Sequence, residues 1–220
     1  MYNYIGIIHK PTAVSHSLKC NFTSKTNDNL VLIKNNYIEI YNLTKNGLEP
    51  NPYLNIFGKI IIVENIPCNK QNKDNLFILT EDLDYRIISY NNNKIENLIK
   101  GNIKEDLGKK NEKILYAIDS NKNYIIINAY VNLFNVICLN INLRDKIRDF
   151  IFTYEYEEIF FLNNFSINHI TNNNSDSYIY TFSIVKSTKK QNNNINNNLN
   201  NNNNNEIYFE TFQINVINKK

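Results

Sequence analysis

Glycine and proline are few for a chain with so many breaks in its apolar pattern: five Gly and four Pro in 220 residues. Turns must therefore use another residue. Asn fits, because it tolerates the left-handed backbone region and makes Asx-turns. It makes up roughly a fifth of the chain, far above ordinary usage. Asn, Lys, Ile and Tyr share A/T-rich codons, so no single Asn is read as a functional signal. The three cysteines, Cys20, Cys68 and Cys138, are odd in number and lack CxxC spacing. That argues against a disulfide framework or a zinc site and favours a reducing compartment. The three histidines, His9, His16 and His169, form no HxxxH, HxH or HExxH pattern, so no metal site is expected. His16 and Cys20 lack a recognisable third group to orient a nucleophile. Neither a G-x-x-x-x-G-K-[ST] nor a G-x-G-x-x-G phosphate loop occurs. No apolar run approaches a membrane span, and residues 5–8 are too short for a signal-peptide core. The net charge is +3, with paired lysines at Lys109-Lys110, Lys189-Lys190 and Lys219-Lys220 but no basic stripe, so any nucleic-acid contact is indirect at most. The expectation is a protein with no catalytic, cofactor-binding or metal-binding residues.

What is present favours strands. Hydrophobic residues make up 42% and aromatics 12%, mostly Ile, Tyr, Phe and Leu, with little Ala. Residues 74–90 show the unit best. Leu76-Phe77-Ile78-Leu79-Thr80 is an apolar run of strand length. Glu81-Asp82-Leu83-Asp84 is a polar turn, and Tyr85-Arg86-Ile87-Ile88-Ser89-Tyr90 is a second strand. Phe77, Leu79, Ile87 and Tyr90 are its packing candidates. Similar pairs begin at Leu30 and Tyr124, and a weaker one at Tyr178. A strand-pair unit recurring at roughly 40–50 residues is the mark of β-propeller blades.

The fold class is therefore all-β, a β-propeller with about four blade units. In the first unit, residues 15–24, 30–34 and 37–43 are strands, 47–52 break the pattern, and 53–57 are an outer strand. The second comprises 58–64, 76–80, 85–90 and 94–99. A charged loop, 101–112, follows. The third holds 114–118, 124–129, 133–140 and 146–153; residues 143–152 also read as a short amphipathic helix, whereas the repeat calls for a strand. The fourth holds 156–162, 165–170, 178–185 and 207–216. By domains, residues 1–185 are blades, 186–205 a disordered Asn-rich insertion in a hairpin turn, and 206–220 the terminal strand of the last unit. The carboxylates Glu81, Asp82, Asp84, Glu155, Glu157 and Glu158 fall in turns or beside strands, where solvation is their ordinary state.

Several short motifs follow in order: Tyr2-Asn3-Tyr4, Lys10-Pro11-Thr12-Ala13-Val14, Asn21-Phe22-Thr23-Ser24, Glu39-Ile40-Tyr41, Gly47-Leu48 with Pro50, Gly58-Lys59-Ile60, Lys73-Asp74 with the run to Thr80, and Leu133-Phe134 with Val136-Ile137. Their order and spacing resemble the beginning of the damage-specific DNA-binding protein 1 family, the adaptors of cullin-4 ubiquitin ligases, from residue 2 to about 143. Splicing factor 3B subunit 3 and the large subunit of the cleavage and polyadenylation specificity factor share that fold. The resemblance implies a non-catalytic protein-interaction scaffold acting in DNA-damage response and protein ubiquitination, in nucleus and cytoplasm. It implies that the chain is a fragment of an incomplete first propeller that grips helical segments of WD-repeat-type substrate receptors. Cullin-4 would be reached only through domains absent from this chain. An RNA-processing scaffold of the splicing or polyadenylation type is the alternative. By position, the resemblance makes Lys104, Glu105, Asp106, Lys109 and Lys110 the partner-contact candidates. Asp106 departs from the family's basic residue, and Lys109 replaces an arginine, whose bidentate fork a lysine cannot reproduce.

Overall fold

The computed structural model describes residues 10–51, 53–68, 73–141, 149–153, 158–172, 175–189 and 205–219. All regular elements among them are strands, and no helix there is long and apolar enough to cross a membrane. The chain divides into two compact units, residues 1–104 and 105–220.

The first unit contains two antiparallel sheets. One is built from β1 (His16–Cys20), β2 (Asn29–Lys34), β3 (Tyr37–Thr44), β4 (Gly47–Pro50) and β5 (Leu54–Asn55), in the order β1-β2-β3-β4 with β5 also on β3. Residues 47–52 were expected to break the pattern, yet β4 pairs with β3 from Thr44↔Gly47 to Tyr41↔Pro50. Gly47 at φ 122° turns the chain back. Pro50 is tolerated because β4 is an exposed edge strand, where a missing N–H leaves no ladder position empty. The expected outer strand at 53–57 shrinks to the two residues of β5.

The second sheet is an up-and-down meander of β6 (Ile60–Cys68), β7 (Lys73–Thr80), β8 (Asp84–Asn91) and β9 (Lys94–Asn102). Strand β7 is buried at every residue from Asn75 to Thr80, so side chains of both pleat faces lie in protein interior. Phe77, Leu79 and Ile87 are fully buried, while Tyr90 is half-buried and lies against Phe22, ring centroids 6.0 Å apart. Val31, Ile33, Ile38 and Ile40 of the first sheet share one core with Ile60, Leu76, Ile78 and Ile88 of the second. Burying a side chain of this size contributes about 1.5–3 kcal/mol.

A polar clasp joins the same two sheets. The Asp74 N–H donates to the Asn21 carbonyl at 2.8 Å. The Asn21 N–H donates to the Asp74 carboxylate at 2.9 Å, which also accepts from Asn65 Nδ2 at 3.3 Å. Buried Asn29 shapes the loop beside it: its Oδ1 accepts from the Thr23 N–H at 2.8 Å and its Nδ2 donates to Asn42 Oδ1 at 2.8 Å. Two of the motifs behind the resemblance, residues 21–24 and Lys73-Asp74, thus meet where sheet joins sheet, through Asn21 and Asp74.

The second unit has a four-stranded meander, β10 (Lys110–Ile118), β11 (Tyr124–Tyr130), β12 (Leu133–Cys138) and β13 (Phe150–Thr153). Residues 150–153 are strand, as the repeat predicts, while 142–148 lie outside the described residues. The last sheet is β14 (Glu158–Asn172), β15 (Ser175–Lys189) and β16 (Asn205–Lys219). The segments expected at 156–162 and 165–170 are one strand. Its register steps from Asn163↔Ser183 to Ser166↔Thr181, one extra residue on β14, which is a β-bulge. Residues three apart in a regular strand face opposite sides. The bulge lets Leu162 and Phe165 enter the same core, with Tyr180, Phe182 and Ile184 of β15 and Phe134 and Val136 of β12. Strand β15 runs on to Lys189, which pairs with Asn205. The rest of the predicted Asn-rich insertion, 190–204, lies outside the described residues.

Asn takes the turns as composition predicts. Asn92 and Asn93, at φ 49° and 60°, occupy the two-residue loop between the paired Asn91 and Lys94, the positive-φ pair that a type I′ hairpin requires. Asn35 and Asn132, at φ 60° and 61°, sit in two other hairpin turns.

Between β10 and β11, Asp119 is buried and its carboxylate accepts the N–H of Tyr124 at 2.6 Å and of Asn121 at 3.1 Å. Desolvation outweighs these bonds and holds its pKa above the ordinary 3.8. A carboxyl with a raised folded pKa binds its proton more tightly folded than unfolded. Its ionised form therefore costs stability at neutral pH, and that cost vanishes as pH falls through the folded pKa. Chemical denaturation of the wild type and Asp119→Asn between pH 7 and pH 4 should show the difference moving in favour of the wild type on acidification. In the same unit, Phe134 stacks on Phe152 at 5.1 Å and lies 5.4 Å from Phe182. Phe134→Ala should lower unfolding free energy by about 3–5 kcal/mol in the same assay.

Candidate partner-binding loop

The connector from β9 to β10 carries four of the five residues singled out by sequence, the fifth, Lys110, opening β10, and its two ends are fixed separately. In the first unit, Gly101 lies beneath the Tyr85 ring, its cross-strand partner; a Cβ there would collide with the ring. Ile103 is buried, and its N–H donates to the Leu83 carbonyl at 3.1 Å. The Lys104 N–H donates to Asn102 Oδ1 at 2.6 Å, and its side chain is exposed.

In the second unit the connector is a tight turn built on Tyr130. The Glu105 N–H donates to the Tyr130 hydroxyl at 2.9 Å. The Gly108 N–H donates to the Glu105 carbonyl at 3.3 Å, leaving Asp106 and Leu107 at the apex. Any side chain at Gly108 would place a Cβ 2.6 Å from Tyr130 Cδ1. The Val131 N–H donates to the Lys109 carbonyl at 2.9 Å, and Lys110 pairs with Tyr130 as β10 begins. Glu105 is half-buried, while Asp106, Lys109 and Lys110 are exposed.

All five candidates are thus on one continuous piece of chain, Lys104 in the first unit and the other four around the Tyr130-anchored turn. The loop is shorter than the predicted 101–112, because Gly101 and Asn102 belong to β9 and Lys110 onward to β10. Sequence reasoning missed Tyr130, 20 residues or more from the residues it fixes, and Leu107, the apolar residue at the apex. An isolated leucine in a charged stretch, directly before a glycine, was the available signal.

The polar groups that the sequence pairs elsewhere lie apart. His16 is exposed, its Nδ1 3.1 Å from Ser15 Oγ, whereas Cys20 on the same strand is buried. Glu81 sits 3.5 Å from Lys59, and Asp84 accepts from Asn102. Among the described residues no group of three or more His, Cys, Asp or Glu is placed to hold a metal ion. On β3, Glu39 bonds Lys34 Nζ at 2.7 Å and Tyr41 at 2.9 Å. The Lys34 hydrogen bond lowers the Glu39 pKa, and the same bond raises that of Lys34. Beside them Lys10 Nζ lies 3.9 Å from the Tyr53 ring centre and 5.4 Å from that of Tyr37, a cation–π contact that fastens the Lys10-Pro11 segment to the first sheet.

Replacing Tyr130 by Phe keeps the ring against Gly108 but removes the acceptor for Glu105. The expected result is a loss of about 1 kcal/mol and faster amide hydrogen exchange at Glu105. Gly108→Ala should disturb the turn more, read as shifted backbone NMR signals at residues 105–109.

The family described as RSE1/DDB1/CPSF1 first beta-propeller matches residues 13–216. Among curated proteins, the chain is 36% identical over 141 residues to DNA damage-binding protein 1 of Drosophila melanogaster. It is 33% identical over 140 residues to the protein of that name from Oryza sativa subsp. japonica, and 32% identical over 139 residues to DNA damage-binding protein 1a of Arabidopsis thaliana. Each alignment covers 62% of this chain but only 12% or 13% of the relative.

Proposed function

We propose, because this chain belongs to the RSE1/DDB1/CPSF1 first beta-propeller family, that it is a non-catalytic interaction scaffold of the kind found in cullin-4 ubiquitin-ligase adaptors. The family match over residues 13–216 carries this reading, and the DNA damage-binding protein 1 relatives favour the adaptor branch. On it, the chain contributes to a receptor-binding propeller in DNA-damage response and protein ubiquitination, in nucleus and cytoplasm. Its partners are helical segments of WD-repeat-type substrate receptors. Cullin-4 is contacted through propellers other than this one, and nucleic acid at most through a partner.

Lys104, Glu105, Asp106, Lys109 and Lys110 are the proposed contact residues. Support comes from the exposure of Lys104, Asp106, Lys109 and Lys110 and from the anchoring of the turn on Tyr130. A fixed loop loses little conformational entropy on binding. The family description also includes RNA-processing members, so a splicing or polyadenylation scaffold is the second reading.

Affinity purification of the tagged chain from nuclear extract separates them. Recovery of WD-repeat receptors supports the adaptor, and recovery of splicing or cleavage factors supports the alternative. Under the adaptor reading, the double reversal Lys109→Glu and Lys110→Glu should weaken receptor binding tenfold or more, measured by titration against a purified receptor. Unchanged affinity would remove these residues from the interface.

A further inference from the structure

Asn46 is the only asparagine in the sequence that a glycine follows. It stands at the tip of the β3–β4 hairpin, where every residue from Leu43 to Pro50 is exposed. The backbone nitrogen of the residue after an asparagine can attack the side-chain amide and close a five-membered imide. A side chain on that next residue hinders the approach, and glycine leaves it open. Around Gly47 the space is clear: a Cβ built on it would meet nothing within 4 Å. Other turn asparagines lack this opening. Asn35, Asn92, Asn93 and Asn132 precede Asn36, Asn93, Lys94 and Leu133, all with side chains. The hairpin is also lightly closed. Strand β4 is an edge strand with four register pairs, Thr44↔Gly47 to Tyr41↔Pro50, and is exposed along its length. At the tip the Thr44 hydroxyl donates to the Gly47 carbonyl at 3.0 Å and accepts the Asn46 N–H at 3.3 Å. Local opening costs least where few buried apolar contacts oppose it, so the Gly47 nitrogen can turn onto Asn46 Cγ while β2 and the rest of β3 stay paired.

We infer that Asn46-Gly47 is a site of spontaneous covalent modification, where deamidation through a cyclic imide converts Asn46 to isoaspartate and releases β4 from β3. Solvent hydroxide takes the proton of the Gly47 N–H, and the nitrogen forms a bond to Asn46 Cγ. The Cγ–Nδ2 bond breaks, and Nδ2 takes a proton from water and leaves as ammonia. Water then opens the imide. Opening at Cγ gives aspartate; opening at the main-chain carbonyl gives isoaspartate, with the chain running through Cγ. No oxidant or reductant takes part. Isoaspartate adds one backbone atom to the turn. Hairpin register follows from turn type and loop length, so Thr44↔Gly47 and Leu43↔Leu48 are the pairs lost first. The new carboxylate, beside Lys45, also lowers the net charge of +3 by one unit. An isoaspartyl carboxylate accepts a methyl group from S-adenosylmethionine in enzymatic carboxyl methylation, which ordinary aspartate does not, and this gives the modified site a specific label. None of this depends on the proposed partner-binding loop.

The test ages the whole 220-residue chain in mildly alkaline buffer and maps its peptides by mass spectrometry over time. Isoaspartate is read by methyl transfer from labelled S-adenosylmethionine with a purified isoaspartyl methyltransferase. Asn46 should convert tenfold or more faster than any other asparagine, and the label should sit in the same peptide. Isoelectric focusing should show an acidic form that Asn46→Gln does not develop, because its longer side chain closes the larger ring far more slowly. Thr44→Val removes the hydroxyl that holds the Gly47 carbonyl and should convert severalfold faster. Circular dichroism should show both variants folded. In the isoaspartyl form, amide hydrogen exchange should quicken at residues 47–51, where the Asn51 N–H is otherwise held by the Ile40 carbonyl at 2.8 Å, while β2 and β7 stay protected. Another asparagine converting as fast, a product that takes no methyl label, or conversion only in denaturant would overturn the inference. Unchanged exchange at residues 47–51 in the labelled form would overturn the release of β4.

Discussion

Strands whose two faces are both buried set the terms for this protein. Every residue of β11, and β7 from Asn75 onward, is shielded from solvent. A strand in that position needs apolar residues on successive positions, not alternate ones. Leu76-Phe77-Ile78-Leu79 and Ile125-Ile126-Ile127 provide them. Both must also be central strands, because a buried backbone cannot leave its N–H and C=O groups unpaired. The meanders β6–β9 and β10–β13 meet that need, with a neighbour on each side of both strands. The edge strands then take the solvent-facing chemistry: β9 interleaves Lys94, Glu96 and Lys100 along its length, and charge on an edge discourages pairing with foreign strands.

Burial on this scale leaves chemistry to the connections. The described residues bury one carboxylate, Asp119, and it serves a turn. The Lys19–Asp28 and Lys59–Glu81 ion pairs lie at the surface, where such pairs add little stability, while Lys34–Glu39 is largely covered. What distinguishes one connection from another is how firmly it is held. The β9–β10 connector is flanked by one tyrosine-over-glycine contact at the end of β9, Tyr85 on Gly101, and held by another within it, Tyr130 on Gly108. In both places the aromatic ring occupies the volume that a side chain would have taken, so the glycine is needed for close approach more than for backbone freedom.

Much of this was legible from residues alone. The apolar runs located β7, β8, β11 and β12, and the abundance of Asn anticipated its use in turns, because both signals act over a few neighbouring residues. The expected 47–52 break failed because Gly and Pro mark turns and edge strands alike; only pairing with β3 distinguishes them. The separate segments at 156–162 and 165–170 failed because a bulge looks, along the sequence, like an interruption of the period. In the loop, the charged candidates were found by likeness to a family, whereas Tyr130 was not. Its role depends on a contact across 25 residues that no local pattern encodes.

The clasp between Asn21 and Asp74 has a bearing on how the chain finds its fold. The β2–β3 and β8–β9 pairs join strands across two-residue turns, so little chain entropy is lost in forming them. The clasp spans 53 residues, and closing a loop that long costs more entropy than any single contact returns. It therefore forms only once both sheets are present to add their shared apolar core to its bonds. Two hairpin-rich sheets that assemble early and dock late give a folding rate set by that long-range closure, not by strand formation.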